Sequence, residues 1–216
     1  MLGFWVKERT YFEHPEVFFK GDLIVAVMDA DGESQVYSTI KEINVMQNSW
    51  KAGVPTISMQ KTLLDGSGKL ESLRLNVQMP GVEPSKVRNL QLFGNFQYLL
   101  KEKLNIDMAG MMHIDLDTPN GVAKARVDGM LNFDQASPIL IDSITRKLFN
   151  ENPINTSAYA NIGLPGILEH YFARSGKFYT FLAKSAKMAD TCFISMTYRK
   201  ASIRLLISDS APGLSV

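Results

Sequence analysis

The stretch Leu73-Arg74-Leu75-Asn76-Val77-Gln78-Met79, closed by Pro80-Gly81, decides how the chain is read. Successive side chains of an extended backbone point to opposite faces, so Leu73, Leu75, Val77 and Met79 share one face and Arg74, Asn76 and Gln78 the other. That is a strand with one buried and one wet face, and Pro80-Gly81 ends it.

The same period of two recurs outward from this stretch. Leu90, Leu92, Phe96, Tyr98 and Leu100 alternate with Asn89, Gln91, Asn95 and Gln97, while Gly94 falls on the apolar side and marks a bulge or a close backbone approach. Met112, Ile114 and Leu116 alternate with His113, Asp115 and Asp117. Ala125, Val127 and Leu131 continue the pattern beyond Pro119-Asn120-Gly121, which reads as a hairpin connection. Residues 22–28, 177–184, 193–198 and 203–206 are apolar on both faces, which suits central or helix-covered strands. Asp31-Gly32 and Asp65-Gly66-Ser67-Gly68 supply turns.

Helical signal is sparse. Pro165 suits the first position of a short helix with Ile167, Leu168, Tyr171 and Phe172 on one stripe and Gly176 closing it. Residues 141–149 place Ile141, Ile144 and Leu148 at helical spacing, with a strand nearly as good a reading. The expected fold is mainly β: an antiparallel β-sandwich with one or two short helices, in a single domain over residues 1–216.

Composition excludes some classes of function. Of 216 residues, 23 are Lys or Arg and 22 Asp or Glu, a net charge of +1 that gives no electrostatic case for nucleic acid. Cys192 is the single cysteine, so neither an intrachain disulfide nor a cysteine-rich zinc site can form. It lies beside an apolar strand, where a thiol is an inert core residue. Asn155-Thr156-Ser157 is a glycosylation acceptor triplet, meaningful if the domain faces the lumen. No run approaches the ~18 apolar residues of a membrane helix.

Candidate chemical sites are few. His113, Asp115 and Asp117 share a strand face and would gather a divalent cation, but the solvent face of any strand has this pattern and no second cluster completes a ligand set. Asp29-Ala30-Asp31-Gly32-Glu33 resembles the opening of a calcium loop with its glycine two places early; an Asp-Gly turn explains it better. There is no Gly-x-Ser-x-Gly elbow and no phosphate loop, and His170 is expected to be structural. No catalytic, metal-binding or cofactor-binding residue is expected, and no enzyme.

The ordered motifs resemble a known family. Gly3-Phe4-Trp5-Val6-Lys7 with Tyr11, Glu13, Pro15 and Val17 is similar to the segment just outside the first membrane span of the transmembrane protein 231 family. Tyr37-Ser38-Thr39, Gly68-Lys69-x-Glu71-x-Leu73-x-Leu75-x-Val77-x-Met79-Pro80, and Leu90-Gln91-Leu92 with Phe96-x-Tyr98 follow in the family's order. So do Val127-Asp128-Gly129-x-Leu131, Ile154-Asn155-x-Ser157, Ile167-x-x-x-Tyr171-x-x-Arg174, and Phe193-Ile194 with Arg199. The position of Cys192, residues 142–150 and residues 184–190 depart from the family pattern.

The resemblance implies a non-catalytic ectodomain cut from a longer chain, with membrane-proximal ends at about residues 1–8 and 209–216. It implies a place in the ciliary transition-zone membrane, facing the extracellular side. There the family helps form the gate limiting membrane-protein diffusion into the cilium. Implied partners are other membrane proteins of the Meckel-syndrome complex, tectonic-like ectodomains among them, and the bilayer itself through flanking spans. Phe4 and Trp5 become membrane-border contacts and Asn155 a glycan site. The rival readings are a sugar- or lipid-binding sandwich with a pocket lined by Phe178, Tyr179 and Phe181, and a hydrolase in which His113, Asp115 and Asp117 converge with further polar groups.

Overall fold

The alternation at residues 73–79 folds as read: Leu73, Leu75, Val77 and Met79 are buried, whereas Arg74 and Gln78 are exposed. A computed structural model describes residues 8–13, 15–47, 53–63, 70–102, 105–135, 139–140, 146–147, 150–173, 176–187, 193–199 and 203–208. In chain order its elements begin β1 (Glu8–Glu13), β2 (Glu16–Asp29), β3 (Ser34–Ser38), α1 (Lys41–Gln47), β4 (Thr56–Leu63) and β5 (Leu70–Gln78). Next come β6 (Val87–Leu100), β7 (Ile106–Asp117), β8 (Lys124–Gln135), β9 (Ile139–Leu140) and β10 (Arg146–Lys147). The last are α2 (Thr156–Ile162), α3 (Leu164–Phe172), β11 (Gly176–Lys187), β12 (Phe193–Arg199) and β13 (Ile203–Ser208).

Two five-stranded sheets make the sandwich, one ordered β10-β7-β6-β2-β3 and the other β11-β8-β12-β5-β4. Their facing sides share one core: Leu23, Val25 and Val27 of β2, Leu90, Leu92 and Phe96 of β6, and Ile114 of β7 pack with Leu73, Leu75 and Val77 of β5 and Val127 of β8. Most pairings are antiparallel, but β12 runs parallel to β8, β10 to β7 and β13 to β9. A third sheet, β1-β13-β9, joins the two ends of the described chain. In its β1–β13 ladder Glu8 lies opposite Ser208 and Glu13 opposite Ile203.

A second core lies on the outer face of the first sheet. Ile24 and Ala26 of β2, Phe93 of β6 and Met111 of β7 meet Ile43 of α1, Tyr159 of α2, and Ile167 and Tyr171 of α3. This explains why residues 22–28 are apolar on both faces: one face feeds the sandwich, the other the helical layer. Phe93 is fully buried, which stabilises the fold by about 1.5–3 kcal/mol. The helices are short, so packing of this face holds them rather than their own propensity. Tyr171 adds a polar tie, its hydroxyl accepting the Met111 N–H at 3.0 Å on the side of β7 away from β6.

Several expectations need correction. The Pro119-Asn120-Gly121 turn exists, with the Gly121 N–H donating to the Thr118 carbonyl at 3.0 Å, but it carries the chain from the first sheet to the second and makes no hairpin. Gly121, at φ +82°, lies against the 84–85 backbone; a Cβ there would stand 2.6 Å from the Pro84 oxygen, and the Val122 N–H donates to that oxygen. That contact steers the chain away from β7. Gly94 does mark a close approach, its missing Cβ leaving room for Met112 and Phe96, whereas the extra residues lie on β2, opposite the neighbouring Asn95.

The face of β6 expected to be wet carries buried Phe93, Asn89 and Asn95 beneath the helical layer and its neighbours. Helix α3 ends at Phe172 with Ala173 as its cap, and Gly176 instead opens β11. Of residues 141–149, Arg146 and Lys147 form the two-residue strand β10 and the rest lie outside the described residues. Strands β1, β3 and β4 and helices α1 and α2 are additional to the sequence reading. The turn at Asp65-Gly66-Ser67-Gly68 and the burial of Cys192 lie outside the described residues.

Candidate functional site

The register of β2 slips where it crosses β6. Phe19 pairs with Phe96 and Leu23 with Gly94, so Lys20, Gly21 and Asp22 together face the single residue Asn95. Gly21 supplies the φ of +92° that this detour needs. The detour brings Asp22 to the outer face, where its Oδ2 accepts from Asn95 Nδ2 at 2.9 Å and from Asn152 Nδ2 at 3.0 Å. Asn95 Nδ2 also donates to Asn152 Oδ1 at 3.1 Å, and that oxygen accepts the Ile154 N–H at 2.9 Å. One carboxylate and two amides thus pin the loop before α2 onto the sheet.

Beside this cluster the described residues leave the outer sheet face open. Lys20, Asp22, Asn95, Gln97, Ala109, Asn150 and Asn152 line a depression of about 420 Å³. Ala109 stands opposite Gln97 in the β6–β7 ladder, and its small side chain leaves the hollow. Gln97 is oriented by donating its Nε2 to Asp107 Oδ1. On its other side Gln97 pairs with Phe18 of β2, whose ring is 41% exposed and carries Lys61 Nζ 5.8 Å from its centroid. Asn95 is 4% exposed, yet among the described residues its Oδ1 has no hydrogen-bond partner. A buried acceptor left without a donor costs about 1–3 kcal/mol, so among the described residues this oxygen is the unsatisfied polar atom of the cluster. The arrangement offers hydrogen-bond donors and acceptors for a polar ligand.

The residues singled out in the sequence are placed as follows. His113, Asp115 and Asp117 share the outer face of β7, as alternation dictates, but they do not converge. The His113 ring stacks on Phe93 at 4.6 Å between centroids, and Asn89 Nδ2 bridges the two carboxylates at 2.7 and 2.8 Å. Among the described residues no group of three or more His, Cys, Asp or Glu is placed to hold a metal ion. Asp29 organises the β2–β3 turn, its Oδ1 accepting the N–H groups of Asp31 and Glu33 at 2.9 Å each.

Asn155 caps α2: its Oδ1 accepts the Ala158 N–H at 3.0 Å, and its Nδ2 lies 3.3 Å from His170 Nε2. His170 is half-buried against this cap. Phe4 and Trp5 lie outside the described residues, as do the side chains of Phe178, Tyr179 and Phe181 on β11. On the turn that approaches Gly121, Glu83 and Lys86 pair at 2.8 Å. The hydrogen bond from Lys86, helped by Ser85, holds the Glu83 carboxyl below its usual range; the same bond holds the Lys86 ammonium above its own.

Asp22, Asn150 and Asn152 were not singled out from the sequence, and Asn95 and Gln97 figured only as the wet face of a strand. Nothing local marks them, because the cluster joins residues 73 and 130 positions apart.

Comparison with known proteins gives the chain a family. The family model described as transmembrane protein 231 matches residues 1–193. The chain belongs to the transmembrane protein 231 family. It is 26% identical to the transmembrane protein 231 of Xenopus tropicalis over 178 residues, covering 80% of this chain and 56% of that protein. It is 27% identical to the Homo sapiens protein of the same name over 161 residues, 73% of this chain and 50% of that one. The Gallus gallus protein is 25% identical over 135 residues, 62% of this chain and 42% of its own length. The chain thus spans about half the length of the transmembrane protein 231 relatives it matches. No solved structure matches it. The family is one of membrane proteins by name, and among the described residues no helix is long and apolar enough to cross a membrane.

Proposed function

We propose that this chain is the non-catalytic extracellular domain of a ciliary transition-zone membrane protein, a scaffold of the gate that restricts membrane-protein diffusion into the cilium and supports ciliogenesis. Membership of the transmembrane protein 231 family supports the reading. The observation that carries it is the β1–β13 ladder: with Glu8 opposite Ser208, the two ends of the described chain lie side by side. Membrane spans attached there would enter the bilayer as neighbours and hold the sandwich close to its surface, with Phe4 and Trp5 at the border. Confinement near the surface raises the effective concentration of neighbouring ectodomains, so modest interfaces add up to a stable assembly. The partners in this reading are other membrane proteins of the Meckel-syndrome complex, tectonic-like ectodomains included.

Two measurements test it. Tagged, membrane-anchored protein in ciliated cells is expected at the base of the cilium, with proximity labelling recovering other membrane proteins of that zone; an even distribution over the cell membrane overturns the proposal. Cysteines at Glu8 and Ser208, in a Cys192→Ser background, are expected to form a disulfide in the anchored protein, because directly opposed strand residues lie about 4.5–5.5 Å apart. Failure to cross-link under oxidation removes the side-by-side exit.

A further inference from the structure

We propose that the depression beside the β2 register slip is a binding site for neutral carbohydrate, on the outer face of the first sheet next to the helical layer. The inference stands on the site's own chemistry and does not depend on the cellular location.

The polar groups select against other ligand classes. A metal ion would meet one carboxylate, that of Asp22, whose Oδ2 already accepts two amide donors, with the Lys20 ammonium also lining the hollow. An anion would meet the Asp22 charge, and an apolar ligand would strip water from Asn95, Gln97 and Asn152 without replacing it. A ligand with several hydroxyls offers both donors and acceptors and no charge, which suits one carboxylate, one ammonium and a set of carboxamides.

Shape and surroundings agree. About 420 Å³ falls within the range of roughly 300–1,000 Å³ common for small-molecule sites, and Ala109 is the residue that keeps the space open. The hydrogen-bonding groups are fixed before a ligand arrives, Asn95 by Asp22 and Asn152, and Gln97 by Asp107. Ordering them costs the ligand little.

The test is titration of the isotope-labelled 216-residue chain with methyl α-mannoside, diacetylchitobiose and lactose, followed by amide NMR. At least one is expected to shift the Asn95, Gln97 and Asn152 signals saturably, with Kd on the order of 1 mM, as suits an open site. Ala109→Leu, which fills the hollow, is expected to weaken that binding at least about tenfold while leaving the rest of the spectrum in place. Should that variant fail to fold, Gln97→Ala on the open rim is expected to weaken binding in the same way. The proposal is overturned if none of the three sugars gives saturable shifts, if the shifts map elsewhere, or if the folded variant binds as tightly as the parent.

Discussion

Tyr171→Phe tests how the helical layer is fastened to the sandwich. The substitution keeps the ring, which is buried among Ile24, Phe93, Met111 and Ile167, and removes only the hydroxyl. That hydroxyl accepts the Met111 N–H at 3.0 Å in a buried setting, at a point where no described strand pairs with β7 on that side; β10 pairs with it at Ile106 and Asp107. The lost bond leaves a buried N–H without an acceptor, so the cost is the desolvation of that group, about 1–3 kcal/mol, and not the smaller net value of an average hydrogen bond. For a chain of this size about 2 kcal/mol corresponds to a fall in Tm of roughly 4–8 °C. Urea unfolding is expected to show a lower midpoint with an unchanged slope, because the surface exposed on unfolding is the same. Hydrogen exchange supplies the specific readout: the Met111 amide is expected to lose protection while its β6 neighbours Asn95 and Phe96 keep theirs. A variant within about 0.5 kcal/mol of the parent, with the Met111 amide still protected, would refute the reasoning, since surface changes alone fall in that range.

Two further substitutions separate local roles. Asn155→Ala removes the α2 cap and is expected to cost about 1 kcal/mol in chemical unfolding, whereas Asn155→Asp keeps an acceptor for the Ala158 N–H and costs less. Ser157→Ala abolishes the acceptor triplet without touching the cap, so mass spectrometry of protein from a secretory host should show a glycan on the parent and none on this variant; an unmodified parent counts against the glycan. Gly121→Ala places a Cβ against the Pro84 oxygen at φ +82° and is expected to destabilise by about 1–3 kcal/mol, measured by thermal unfolding, while Gly32→Ala in open space carries only the backbone part of that cost.

How much of this was legible in the sequence depends on what each element buries. Residues 73–79 announce themselves because one face is in the core and the other in water. Residues 22–28 read as doubly apolar for the reason found, a sandwich on one side and helices on the other. Strand β4 went unread because nearly all of it is exposed, so no apolar face is demanded of it. Helices α1 and α2 have seven residues each, too few for a helical period to show, and each sends few side chains inward, Ile43 and Tyr159 among them. Turn chemistry at Pro119-Asn120-Gly121 told that the chain bends but not toward which sheet; the contact with Pro84 decides that. The polar depression was invisible because a register slip between strands far apart in sequence brings Asp22 to Asn95 and Asn152 beside it.

The ladder between β1 and β13 also sets how the domain responds to force. Since both ends depart from the same end of that ladder, pulling them apart peels its six residue pairs open one after another, like a zipper, and never loads them together in shear. Each rung yields at low tension, so lateral strain between the two ends would open this small sheet first, while the two large sheets stay closed.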